Sequence, residues 1–150
     1  MISCLLCIIF TSCGSTQSKK NLEEKLTAHT WVFNWVRNNK TYYTHIFMFN
    51  KNGTFNSNSI EYDGEGRIEE ETTDEGTWTL SEDKTLTIMP NDPEDTKSIK
   101  WNTDVTDADC EQLLNSAKYN SAEYKKENAF KDWYVSDSFF KIGYYVFTPQ

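Results

Sequence analysis

Two stretches decide the fold. One is Phe49-Asn50-Lys51-Asn52-Gly53-Thr54-Phe55; the other is Gly76-Thr77-Trp78-Thr79-Leu80, followed by Thr85-Leu86-Thr87-Ile88. Along Tyr42–Asn50, the residues Tyr43, His45, Phe47 and Phe49 fall on one face of a strand. If Lys51, Asn52 and Gly53 form a three-residue loop, Gly53 takes the left-handed position of a bulged turn. Asn50 then faces Thr54, and Phe49 faces Phe55. A two-residue Asn-Gly loop would set Phe55 against Asn50. Aromatic pairing across the strands favours the first register. In the second stretch threonines alternate with apolar residues. A loop at Glu82-Asp83-Lys84 puts Leu80 opposite Leu86 and Trp78 opposite Ile88, which makes a half-buried antiparallel hairpin.

The same period continues on both sides of these hairpins. Trp31, Phe33 and Trp35 share a face of an earlier strand, which turns at Arg37-Asn38-Asn39-Lys40. Thr54–Tyr62 is predicted as a strand. Pro90 and Pro93 break the chain, and Ser98–Thr103 follows as a strand with Ile99 and Trp101 inward. Trp133–Val135 and Phe139–Phe147 read as a last hairpin, stopped by Pro149. A short helix starts from an Asn21 cap and ends near Ala28, with Glu23 and Glu24 in its first turn. Thr106 caps a second helix over roughly 107–117, and a further helical stretch covers Ser121–Phe130. The sum is a mainly β chain: an antiparallel β-barrel of about eight strands, with a short N-terminal helix and a late helical insertion. Closure into a barrel removes exposed edges.

The apolar run Ile2–Phe10 is too short to cross a bilayer, which takes about 20 residues. It fits the apolar core of a secretory signal. Phe10-Thr11-Ser12-Cys13 resembles the lipobox of bacterial lipoproteins, with Phe10 where leucine is usual. The resemblance implies cleavage before Cys13 and lipidation of its thiol. The chain then divides into a signal peptide (1–12), a lipidated cysteine with a flexible tether (13–21) and a barrel domain (22–150). The address is the cell envelope, held by lipid on the periplasmic or outer face of the outer membrane. Cys4 and Cys7 lie inside the removable run, so Cys110 is left as a lone thiol. It is either a small helix-face residue or, with a histidine beside it, a nucleophile.

The net charge of −8 disfavours nucleic acid, which needs a basic patch to neutralise its phosphates. Acidic residues gather at Glu61, Asp63, Glu65, Glu69, Glu70, Glu71, Asp74 and Glu75 around a single Arg67. They read as a solvated loop or an exposed strand face. A calcium site is the alternative, but the Asp-x-Asp-x-Asp-Gly spacing of a calcium loop is missing.

Leu26…Trp31, the Phe49–Phe55 hairpin, Glu75-Gly76-Thr77-Trp78-Thr79-Leu80, Thr85–Ile88 and the tail Tyr144-Tyr145-Val146-Phe147-Thr148-Pro149 together resemble the lipocalin-like domains of bacterial lipoproteins. The match covers residues 22–101 and 132–149. It departs at Ala28-His29-Thr30-Trp31, where the family's glycine before the first-strand tryptophan is missing. Residues 104–131 have no counterpart. The resemblance implies shape more than activity.

No Gly-x-Ser-x-Gly elbow, phosphate-cradling glycine loop or His-Glu-x-x-His motif occurs. His29 and His45 are too few and too scattered for a catalytic zinc. No cofactor, metal or enzymatic activity is expected. The candidate ligand-binding residues are the inward aromatics Trp31, Phe33, Trp35, Tyr43, Phe47, Phe55, Trp78 and Trp101, with His45 among them to orient a polar group. Two readings of that face stay open. It lines a cavity for a small apolar or amphipathic ligand, or its rings simply fill the barrel. In the second case the acidic segment 61–75 would serve a protein partner instead.

Overall fold

A computed structural model describes residues 17–37, 40–116 and 130–150. The leader run, Cys13, the Asn38-Asn39 turn and nearly all of the Ser121–Phe130 stretch lie outside the described residues. Helix α1 (Lys19–Leu26) is followed by strands β1 (Thr30–Arg37), β2 (Lys40–Phe49), β3 (Thr54–Tyr62), β4 (Ile68–Leu80), β5 (Thr85–Pro90) and β6 (Lys97–Lys100). Helix α2 (Asp107–Leu114) and strands β7 (Trp133–Val135), β8 (Phe140–Ile142) and β9 (Tyr145–Pro149) complete the chain. The strands form one antiparallel series in the order β6-β5-β4-β3-β2-β1-β9-β8-β7. A parallel bridge between Trp101 and Trp133 brings the two ends of the series together. The result is a nearly closed barrel of nine strands, consistent with a lipocalin-like fold.

Three hairpin turns share one construction. Asn50 N–H donates to Thr54 O at 2.8 Å and Gly53 N–H to Asn50 O at 3.0 Å. Asp63 and Arg67 with Gly66 repeat this at 2.9 and 3.0 Å, and Ser81 and Thr85 with Lys84 at 3.1 and 3.0 Å. The fourth residue of each turn is left-handed: Gly53 at φ 82°, Gly66 at φ 83° and Lys84 at φ 61°. The expected registers follow, with Phe49 opposite Phe55, Trp78 opposite Ile88 and Leu80 opposite Leu86. At the third turn a lysine occupies the position that glycine adopts without steric cost. Its carbonyl accepts both the Trp101 backbone N–H (3.2 Å) and the Trp133 indole N–H (2.9 Å). The turn thus sits on the seam that closes the barrel.

Three expectations need correction, and one pair of alternatives is decided. The acidic segment 61–75 is an exposed strand face over most of its length and not a solvated loop. Only Asp63–Arg67 turns, and Ile68–Glu75 continues β4 beside β3 as an exposed ribbon. Acids occupy both of its faces, so no alternation marked it as a strand. Helix α1 begins at Lys19 with Ser18 as its cap, and Asn21 N–H donates to Ser18 Oγ at 3.3 Å. Residues 19–21, read as the end of the spacer, are therefore helical. The earlier start adds the Lys19–Glu23 and Lys20–Glu24 pairs one turn apart. The tail carries two strands after β7, divided at Gly143 (φ 56°). β6 ends at Lys100, so Trp101 joins the seam as an isolated bridge.

Helix α1 lies across one end of the barrel. Its buried Leu22 and Leu26 face the core, and Leu26 O accepts the Trp31 indole N–H at 2.9 Å. Lys19 reaches Glu82 in the β4–β5 turn, and Lys25 reaches Asp137 between β7 and β8. The opposite end is formed by the far end of β1, the β3–β4 turn and the β8–β9 turn, and no described element covers it. α2 is capped as expected: Thr106 Oγ1 accepts from Asp109 N–H, and the Asp109 carboxylate accepts from Thr106 N–H at 2.8 Å.

Candidate functional site

Alternation along β1, β2, β3, β4 and β9 sends one set of side chains inward, and the character of that set changes along the barrel. Toward α1 the interior is filled. Phe47 lies 4.8 Å from Phe49 and 5.2 Å from Phe55, ring centre to ring centre. Phe140 stands 5.3 Å from Phe49, 5.2 Å from Phe147 and 5.8 Å from Trp31. These separations and the stacked, tilted or edge-on angles are those of packed aromatic pairs. Trp31, Phe33, Phe49, Phe55, Phe140 and Phe147 are all fully buried. Trp78 fixes this end further, with its indole N–H on Asn50 O at 3.0 Å.

Five of the nine candidates, Trp31, Phe33, Phe47, Phe55 and Trp78, belong to that filled half. Trp101 stands at the seam, 4.7 Å from Trp133 and stacked on Tyr134 at 5.3 Å. The remaining three, Trp35, Tyr43 and His45, are half-buried toward the open end. Trp35 lies beside a bulge at Tyr42 of β2 and contacts the Tyr42 ring at 5.9 Å. Tyr145 joins this group, and the fully buried Phe147 borders it. Tyr145 packs 5.0 Å from Phe33 and 6.4 Å from His45, and Phe147 lies 5.8 Å from His45. Their alternation in the tail was readable. That β9 would pair with β1 was not.

His45 is the chemically distinctive member. Its ring stacks on Phe47 at 5.7 Å and meets Tyr43 edge-on at 6.2 Å. Burial drives its pKa down to about 4, against an opposing pull from the Asp74 carboxylate, so the ring is neutral near neutral pH. Tyr43 Oη donates to Ser59 Oγ at 3.0 Å and lies 3.4 Å from His45 Nδ1. With its own proton committed to Ser59, the phenol oxygen is left to accept, which assigns the imidazole proton to Nδ1. Nε2 is then a bare acceptor, buried and without a hydrogen-bond partner among the described residues. Burial also raises the Tyr43 pKa. Farther out the inward face turns polar: Ser57 pairs with Asp74, Ser59 with Thr72 and Glu61 with Glu70 across β3 and β4.

Cys110 is fully buried on α2, and burial pushes its thiol up to about 12. It stays protonated and packs as a small apolar side chain. Among the described residues no three His, Cys, Asp or Glu side chains stand close enough to hold a metal ion. No described helix is long and apolar enough to cross a membrane. No known protein family, curated protein or solved structure matches this chain.

Proposed function

We propose that this chain is a lipid-anchored binding module of a bacterial cell envelope, with Cys13 carrying the lipid. The open end of its barrel receives a small amphipathic ligand. The observation behind this is the bare Nε2 of His45, a buried acceptor set among half-covered rings. An unmet buried acceptor costs about 1–3 kcal/mol, and a ligand O–H or N–H that reaches it recovers that cost. The ligand's apolar part rests on Tyr43, Trp35 and Tyr145. Because the half nearer α1 is filled with rings, the seat is shallow. The reading assigns no catalytic step to this chain, since the Cys110 thiol is buried and hard to ionise.

Native mass spectrometry on protein released from its own envelope tests the ligand. A small-molecule mass carried by the wild type and lost in His45→Phe is expected; a wild type without any bound mass overturns the ligand reading. Palmitate labelling tests the anchor. Label is expected on the wild type and not on Cys13→Ser, and equal labelling of both rules the anchor out.

A second reading is favoured by one feature. Residues 68–75 of β4 are exposed throughout and carry Glu69, Glu70, Glu71, Asp74 and Glu75. In that reading the barrel is a rigid mount, and the ribbon docks a basic protein of the envelope.

A further inference from the structure

The outer margin of the ribbon has a specific hydrogen-bonding pattern. Trp78 N–H donates to Gly53 O at 2.8 Å, toward β3. Alternate residues of β4 therefore turn their backbone groups toward β3, and the residues between turn theirs away. On the other side, Asn91 N–H donates to Glu75 O at 3.0 Å, in step with that alternation. β5 pairs with β4 only over Gly76–Leu80. Beyond Asn91, Thr73 and Glu71 direct their N–H and C=O groups outward at a margin that no strand among the described residues covers. Near the tip a bulge at Glu69 interrupts the pairing between Glu61↔Glu70 and Tyr62↔Ile68.

Both faces along this margin are acidic. By alternation Glu70 and Asp74 flank it on the inward side, and Glu71 and Glu75 on the outward side. Asn58 Nδ2 holds Glu71 Oε1 at 2.8 Å on the outward side. A second copy of this chain would bring the same acids against them, which charge repulsion opposes. A segment rich in lysine or arginine would meet a carboxylate on whichever face its side chains project.

We infer that the free edge of β4 at Glu71–Thr73 receives an extended, Lys/Arg-rich segment of a partner protein as an added strand. This rests on the docking reading above and specifies its chemistry: backbone pairing to two edge residues, with charge complementarity selecting the occupant. The barrel supplies the rigid sheet, and the partner supplies a strand whose alternate side chains are basic.

The test uses the folded protein and a synthetic peptide of alternating lysine and valine, with a copy N-methylated at alternate amides. Binding is read by amide chemical-shift titration at low and at high salt. Thr73→Pro removes one outward N–H and leaves pairing to β3 intact, since that N–H points away from β3. The triple variant Glu69→Gln, Glu70→Gln, Glu71→Gln keeps the edge and removes the charge. Shifts at Glu71 and Thr73 are expected. Thr73→Pro and N-methylation should each weaken binding about tenfold, and the triple variant should weaken it and flatten its salt dependence. If the charge variant weakens binding while Thr73→Pro and N-methylation do not, strand addition is overturned and electrostatic docking stands. Binding unchanged in every variant, or no binding by the wild type, overturns both. Unaltered dispersion of the barrel amides in each variant confirms that the scaffold is intact.

Discussion

The two ends of this barrel follow opposite rules of construction. At the α1 end every inward side chain is apolar, and each ring is wedged against others. At the open end the same strands continue, but the inward positions become tyrosine, histidine, serine and carboxylate. Strands β2, β3 and β4 run through both regions, so the difference comes from side chains and not from backbone. One end supplies stability, and the other is free to carry recognition because little of the packing depends on it.

The strongest way to break that division is to delete a ring. Phe47→Ala should cost about 3–5 kcal/mol by urea denaturation. Thr72→Ala on the ribbon should stay within about 0.5 kcal/mol. Equal losses at both sites would erase the contrast.

His45 lies where the two regions meet, and acid reports on it. Its folded pKa of about 4 is below the ordinary value of 6.5. Between these values the unfolded chain binds a proton that the folded chain resists. The contribution is therefore whole above the ordinary value and is lost as pH falls through the window toward about 4. It amounts to about 3 kcal/mol. Stability measured against pH should fall less steeply in His45→Phe than in the wild type across this window; matching slopes would show the imidazole to be solvated.

Gly76 marks the departure of the ribbon from the barrel. A Cβ there would sit 2.1 Å from Met89 O and 2.8 Å from Pro90 Cα, both backbone atoms that cannot swing away. Gly76→Ala should cost about 1–3 kcal/mol and shift the amides of β5 before those of the ribbon tip. The smallest effect has the opposite sign. Lys84→Gly relieves a left-handed side-chain position and should raise stability by about 1 kcal/mol, provided the Lys84 carbonyl keeps its bonds to Trp101 and Trp133. A lower melting temperature would mean that the lysine side chain itself holds the seam.

The filled half was legible in the sequence because it obeys local rules. Gly53 dictated the turn, and the turn with the alternation of Phe47, Phe49 and Phe55 fixed the register. The open half was not legible, for two reasons. Ile68–Glu75 is solvated on both faces, so the period-two signal that identifies a half-buried strand is missing there. The surroundings of His45 depend on β9 lying beside β1, a pairing between residues 148 and 32 that no local pattern announces. Ser18 and Asn21 are both good cap residues, and the Lys19–Glu23 and Lys20–Glu24 pairs favour the start at Lys19.

The early start of α1 also sets a distance. Lys19 is tied to Glu82, and the helix lies flat across the filled end. With Cys13 lipidated as proposed, four residues lie between the anchor and Ser18, and the five extended steps from one to the other span at most about 18 Å. Such an anchor would hold the filled end close over the bilayer. The open end would then point outward by the height of the barrel, and among the described residues the acidic turn at Asp63–Arg67 would stand at the end away from that membrane.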